Sequence, residues 1–535
     1  MQERISFGKK DIGAEILPIL TTGLYRDTLD TLREYIQNAI DAQCKHLEVI
    51  IDPDTVTVAD DGFGMTFEEA KKALRLGISE KNPLENVGFR GIGIYSAFNL
   101  CDNLDIYTRS DLESACYVVR FNFKNIRKAL QEEQERRKQD KPPSLYLEKL
   151  LKDSVYVEVD SDNTQSEHGT TAIMSGLSGD VYRLNNWAQV VRYLQDVVPL
   201  PFQNDFKYAS EIQKKFEQED YRVVPLTLQI GNQREQVWRP YYNEIFAHGG
   251  EHPPEFFDIA DGKERFGFAW VCINDARRVL KDDKIRGLLI KKFGFSISDR
   301  NYLEPFFARP VFNRRITGEV IVQHPNLLPN AARSDFEHNS PRQIFLQTAL
   351  PKFVSAVSDW ANRIQEEDKA KEVLAEVLAK VLYINKVLPS SRQDKERLLQ
   401  FNIGLYELAR EIRPHARTLK RIRAQQFAEV EGLIKECQKM VASDLIEQKK
   451  SQRSNEERII RSIQREAAEP KTEAERLRDI PKNLLALIEA YGLSASPELI
   501  GLLGFLDENY LQIWLAVERY EEMLVALREF MEEQS

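Results

Sequence analysis

Leu32-Arg33-Glu34-Tyr35-Ile36-Gln37-Asn38-Ala39-Ile40-Asp41-Ala42-Gln43, the stretch LREYIQNAIDAQ at residues 32–43, decides how this chain is read. Glu34, Asn38 and Asp41 stand at i, i+4 and i+7 and share one stripe of a helix. Leu32, Ile36 and Ile40 lie on the other side and suit burial. An amide between two carboxylates makes poor core material. It suits a hydrated divalent cation held beside a general base. Alone, the triplet reads as a solvated helix face, because charged helix faces are usually only solvated; three later segments change that balance.

The first is TVTVADDGFGMT. Thr55 to Ala59 alternates β-branched residues and reads as a strand running into Asp60-Asp61-Gly62-Phe63-Gly64-Met65. Gly62 and Gly64 allow a tight turn and close approach of the backbone to a ligand. A carboxylate at Asp60 accepts hydrogen bonds only, so it suits the exocyclic amine of adenine and repels the carbonyl of guanine. The second segment, ENVGFRGIGIYSAFNLCD, spaces Gly88, Gly91 and Gly93 as G-x-x-G-x-G. Such a backbone offers N–H groups to phosphate oxygens. It matches neither the dinucleotide fingerprint nor a P-loop. The third is EHGTTAIMSGL, where Gly169, Thr170 and Thr171 open a strand. A threonine hydroxyl there could bond the carboxylate that reads adenine.

In this order the four segments resemble the GHKL ATPase superfamily, which includes DNA gyrase, heat-shock protein 90 chaperones, histidine kinases and MutL mismatch-repair proteins. The family pattern is E-x-x-x-N-x-x-D, D-x-G-x-G, G-x-x-G-x-G and then Gly-Thr. The match covers residues 10–178. The run Tyr95-Ser96-Ala97-Phe98 is similar to the heat-shock protein 90 sequence beside its ATP lid. Leu328, Pro329, Asn330 and Arg333 match that branch's middle-domain loop, whose arginine reaches the γ-phosphate. The short stretch between Gly77 and Gly88, with Ser79 and Lys81, is closer to MORC and MutL proteins.

The resemblance implies ATP and Mg²⁺ as cofactors and ATP hydrolysis as the activity. It makes Glu34 the general base and Arg333 a transition-state contact from a second domain. Asn38 becomes the Mg²⁺ ligand, sufficient alone because magnesium keeps several waters. Asp60 reads adenine, with Gly62, Gly64, Met65, Thr170 and Thr171 around the base. Asp41 and Lys81 face the nucleotide, and Gly88, Phe89, Arg90, Gly91, Ile92 and Gly93 wrap the phosphates. The implied function is an ATP-driven clamp of the heat-shock protein 90 type, a homodimer acting on protein clients or a dedicated partner. The alternative is a MORC- or MutL-like clamp on DNA, in repair or in defence against foreign DNA.

The implied fold class is α+β. A GHKL (Bergerat) α/β-sandwich domain is expected over 1–178 and a mixed α/β middle domain over 179–345. Long helices or a coiled coil are expected over 346–470, and a small helical bundle over 471–535. Phe353, Val354, Val357, Trp360 and Ala361 already show helical spacing. The charged run from Lys124 to Asp153 looks like an inserted helix and loop, read as a mobile surface excursion, and the His248 and His252 stretch reads as a proline- and glycine-rich loop rather than a zinc site.

Composition is that of a soluble protein, 42% hydrophobic and 30% charged, with a net charge of −10. That charge disfavours nonspecific grip on nucleic acid by the chain as a whole. One basic cluster stands against it: Arg413, His415, Arg417, Lys420, Arg421 and Arg423. Five scattered cysteines suit a reducing cytoplasm, and no signal peptide or membrane span is expected.

Overall fold

The computed structural model describes residues 8–468, apart from 9–10, 26, 83–85, 87, 89, 163, 166, 179–180, 247–251 and 274–277. Phe89, the His248 and His252 pair as a pair, and the expected bundle over 471–535 lie outside the described residues. The fold is α+β, as the sequence implies, and divides into two compact units, Met1–Gln365 and Glu366–Ser535.

The first unit opens with α1 (Ile16–Leu24) and α2 (Thr28–Asp41), separated at Tyr25. The carboxylate of Asp27 restarts the helix by accepting from the N–H of Leu29 at 3.0 Å. Then follow β1 (Leu47–Ile51), β2 (Thr55–Asp60), α3 (Phe67–Ala73), β3 (Cys101–Arg109) and β4 (Cys116–Asn122). Next come α4 (Phe123–Lys138), α5 (Leu147–Lys152), β5 (Val155–Val159), β6 (Gly169–Leu177), α6 (Trp187–Val197), α7 (Ala209–Gln218), β7 (Leu226–Ile230) and β8 (Gln233–Val237). The strands form one sheet in the order β5-β4-β3-β6-β2-β1-β7-β8. All neighbours are antiparallel except β1 and β7, which run parallel from Leu47 beside Leu226.

Alternation along the strands decides which face is covered. Leu104 and Ile106 of β3 and Val56 and Val58 of β2 are buried against Leu32 and Ile36 of α2 and Ile126 of α4. The opposite face carries Arg120, which pairs with Asp105 at 3.2 Å and Glu158 at 2.9 Å. The helix in the run from Lys124 is therefore docked rather than a surface excursion, while residues 139–144 are exposed. Helix α4 seats Phe123, Ile126 and Leu130 in this core, and its buried Glu133 accepts from the N–H of Ser144 at 2.7 Å. Phe123, Ile126 and Leu130 recur at three- and four-residue intervals in its first half, which is enough to dock a highly charged helix.

A second sheet, ordered β12-β11-β13-β10-β9, comprises β9 (Glu255–Asp261), β10 (Glu264–Ile273), β11 (Gly287–Lys292), β12 (Phe295–Ile297) and β13 (Ile316–Val322). It is covered on both sides, so β10 is buried continuously from Phe266 to Ile273. One face packs on Phe216 of α7. After the short α8 (Ser340–Ile344), the other face meets Phe353, Val357 and Trp360 of α9 (Leu350–Val387).

The boundary between the units falls within α9. The second unit continues with α10 (Lys395–Ile412), α11 (Ala416–Ile422) and α12 (Ala424–Ala468). Their apolar stripes, including Leu405, Ile412, Leu419, Val430 and Val441, share one core with Val377 of α9. Of the basic cluster, Arg421 pairs with Glu367 at 2.8 Å, while Arg413, Arg417, Lys420 and Arg423 are exposed. No helix among the described residues is long and apolar enough to cross a membrane.

Candidate functional site

A cavity of about 410 Å³ lies in the first unit, within the range of small-ligand sites. It is lined by Glu34, Asn38 and Asp41 from α2, by Asp60 at the end of β2, by Gly64 and Met65 just after it, and by Thr170 of β6. Lys81, Gly88, Arg90, Gly91, Ile92 and Gly93 also line it, as do Pro329, Asn330 and Arg333 from the loop after β13.

Helix α2 presents its polar stripe because two contacts fix its rotation. Thr31 donates to the carbonyl of Ser96 at 3.2 Å, and the hydroxyl of Tyr35 donates to that of Ile94 at 2.7 Å. The glycine-rich segment then passes directly over the stripe. A Cβ at position 93 would lie 2.9 Å from Glu34 Oε2, and one at position 88 would lie 3.1 Å from Asn38 Oδ1. The N–H of Gly88 donates to Asp41 Oδ2 at 2.9 Å. Lys81 reaches in as well, with Nζ 2.9 Å from Asp41 Oδ2 and 3.2 Å from Asn38 Oδ1.

At the other end, the sheet register sets three side chains abreast. Asp60 of β2 pairs with Thr170 of β6, which pairs with Thr108 of β3. The hydroxyls of Thr108 and Thr170 are 3.2 Å apart, and Thr108 accepts from the N–H of Met65 at 2.9 Å. Burial pushes the Asp60 carboxyl up to about 6, against the pull of the Gly62 and Thr170 N–H groups. Gly64 adopts φ +66°, and a Cβ there would lie 1.9 Å from the carbonyl oxygen of Arg109. His168 donates from Nδ1 to the carbonyl of Gly62 at 2.7 Å, because a carbonyl only accepts.

Thr171 stands apart. One residue along the strand, it faces the other side of the sheet, where its hydroxyl donates to Gln165 Oε1 at 2.7 Å. Arg333 comes in from the second sheet and donates from Nη2 to Gln37 Oε1 at 2.8 Å. Burial lowers its guanidinium to about 10, with Glu34 opposing, so it stays charged at neutral pH. Beside Glu34 lie Arg33, 3.4 Å from its Oε1, and Tyr25, which is hydrogen-bonded to it. Burial, followed by the charge of Glu34, raises the Tyr25 phenol. Tyr25, Gln37 and Thr108 carried no signal in the sequence, because each is brought in by its neighbours in space.

Residues 28–155 match the family model described as histidine kinase-, DNA gyrase B- and HSP90-like ATPase. The chain carries a GHKL ATPase domain. Similarity to named proteins falls on a small part of the chain. The chaperone protein HtpG of Porphyromonas gingivalis is 33% identical over 19% of this chain and 19% of its own length. HtpG of Bacteroides fragilis is 32% identical over 19% of each. HgiDII of Herpetosiphon aurantiacus, named as a candidate type II restriction enzyme, is 30% identical over 17% of this chain and 16% of its own length. The chain thus spans under a fifth of the length of these relatives. A solved N-terminal domain of a DNA repair protein covers 65% of this chain and 98% of its own, at 12% identity and a TM-score of 0.39.

The GHKL cavity fits an adenine nucleotide on its own chemistry. A buried carboxylate sits at one end, N–H-rich glycine backbone at the other, and the positions where a Cβ would intrude are glycines. Mg²⁺ fits a single amide oxygen with the remaining positions left to water and phosphate, and Asn38 Oδ1 already attracts a cation, the Lys81 ammonium.

Proposed function

We propose that this chain is a Mg²⁺-dependent ATPase in which Glu34 and Arg333 act on the γ-phosphate of ATP held in the GHKL cavity. The observation that carries it is the convergence of Glu34, Asn38, Asp60, Thr170 and Arg333 on one cavity, from segments some 300 residues apart. Asp60 accepts from the exocyclic amine of adenine, supported by Thr170. Asn38 would hold Mg²⁺, which neutralises phosphate charge when bound. Gly88, Gly91 and Gly93 give the triphosphate main-chain N–H groups, and Lys81 leaves Asn38 and Asp41 for a phosphate oxygen.

Glu34 orients the attacking water and takes its proton. The water oxygen forms a bond to phosphorus as the bond to the bridging oxygen breaks. ADP leaves with the electron pair, and the proton passes from Glu34 to solvent or phosphate. Arg333 balances charge on the γ-phosphate as that bond breaks.

Because Arg333 belongs to another sheet, hydrolysis depends on how that sheet's loop is seated, which makes the site a switch. We read the switch as a clamp, homodimeric and cytoplasmic, acting on protein clients or a dedicated partner in the manner of heat-shock protein 90. Similarity to HtpG supports this. A second reading is a clamp on DNA; similarity to HgiDII and the seating of Lys81 in the cavity support it.

Steady-state ATP hydrolysis of the full chain tests both, alone and with duplex DNA, single-stranded DNA or an unfolded protein. Stimulation by unfolded protein with indifference to DNA supports the first reading. Stimulation by DNA that fades with salt supports the second. No hydrolysis under any condition contradicts the ATPase itself.

A further inference from the structure

Arg90 sits inside the glycine-rich segment, between Gly88, which touches Asn38 and Asp41, and Gly91, whose carbonyl accepts from the N–H of Gly77 at 3.0 Å. A side chain at that point could turn toward the phosphates. Instead, its Nη2 donates to the carbonyl of Pro329 at 2.7 Å, and it forms an ion pair with Glu337. Those partners stand four residues before and four residues after Arg333. They form the neck of the loop that carries it. Pro329 bridges Phe336 across the neck, Asn330 N–H donates to Asp335 at 2.8 Å, and Glu337 N–H donates to Leu328 at 2.8 Å. Arg333 itself is held at φ +54°, a left-handed conformation that surrounding contacts must maintain. Its main-chain N–H donates to Asn330 at 3.1 Å and its carbonyl accepts from Ser298 at 2.9 Å.

Two arginines therefore tie the loop after β13 to the walls of the cavity, one reaching out from the loop and one reaching into it. Arg333 reaches from the loop to Gln37 on α2, and Arg90 reaches from the glycine segment to the neck of the loop. A charge-assisted contact to a carboxylate and a carbonyl together fixes direction as well as distance. A phosphate-induced movement of the glycine segment would carry Arg90 with it, and with Arg90 the neck.

We propose that Arg90 is a positioning residue rather than a phosphate ligand: it clasps the Pro329–Glu337 neck and so ties the seating of Arg333 to the state of the phosphate-binding segment. The proposal rests on the ATPase reading for its consequence in turnover, but the clasp itself is a structural statement.

The test compares full-length wild type with Arg90→Ala, Arg90→Lys, Glu337→Gln and the Arg90→Ala/Glu337→Gln pair. Three quantities are measured: ATP affinity, kcat, and amide hydrogen exchange over residues 328–338. Arg90→Ala should keep ATP affinity within about twofold and lower kcat by about ten- to a hundredfold, as expected for a misplaced group acting through another. Exchange at Asn330, Arg333 and Glu337 should quicken. Glu337→Gln should act in the same direction and the pair should be no worse than Arg90→Ala, because both remove one clasp. Arg90→Lys should recover part of the lost protection. Unchanged exchange in Arg90→Ala overturns the proposal, as does loss of ATP affinity by more than about tenfold, the mark of a phosphate ligand. Unchanged kcat in an active enzyme overturns it too. If wild type binds ATP without hydrolysing it, the catalytic reading fails and the exchange measurement alone decides the clasp.

Discussion

Asp60 shows how one residue answers two demands of opposite sign. Burial lifts its carboxyl from 3.8 to about 6, so the ligand-free fold holds this proton to a higher pH than the unfolded chain does. Its contribution to stability is fully present below 3.8 and is lost as pH rises through about 6. Adenine asks for the reverse, since its exocyclic amine donates best to an ionised carboxylate. ATP affinity should therefore rise as pH increases from about 5 to about 7. Calorimetric titration of wild type against Asp60→Asn checks this, because the variant should bind weakly with no such slope. Arg333 makes a different prediction. It donates to Gln37 on α2 and lines the phosphate end of the cavity, so Arg333→Ala should lower kcat by about a hundredfold and leave KM nearly unchanged. Steady-state kinetics separate the two parameters; an equal rise in KM would make Arg333 a binding group. At this scale the motif residues were legible because their chemistry is unusual where it stands. The choice between Thr170 and Thr171 was not, because both are threonines and only the strand register says which one faces Asp60.

At the scale of elements, a motif is only as good as the turn that presents it. Gly64 holds φ +66° within contact of the Arg109 main chain. Gly64→Ala should destabilise the fold by more than about 1 kcal/mol and displace the Asp60 turn. Thermal unfolding and ATP titration of the same variant check both; an unchanged Tm would show that the turn relaxes freely. Helix α2 and the face of α9 bearing Phe353, Val357 and Trp360 were readable because helical spacing repeats within a few residues. Helix α4 was readable as a helix, but its docking was not, because charge hid a sparse apolar stripe. The pairing of β1 with β7 was beyond reach, since Leu47 and Leu226 meet across nearly 180 positions and either strand would suit many partners. Thr108 escaped for the same reason, as it enters the site through the pairing of β3 with β6.

Across the whole molecule, the nucleotide cavity draws on α2, the first sheet and the loop after β13, all within Met1–Gln365. The described helices of the second unit have their own core, and none of their described residues lines that cavity. The claim on which the rest depends is that α2 brings Glu34 and Asn38 to the phosphates of an adenine nucleotide. Its most direct test is a titration of full-length wild type and Glu34→Gln with ATP and with GTP in Mg²⁺, followed by single-turnover hydrolysis of the bound nucleotide. Both proteins should take up ATP with similar affinity and neither should take up GTP comparably. Only wild type should release phosphate, with Glu34→Gln slower by about a hundredfold or more. Failure of either protein to bind ATP, or wild-type turnover by Glu34→Gln, would contradict the account.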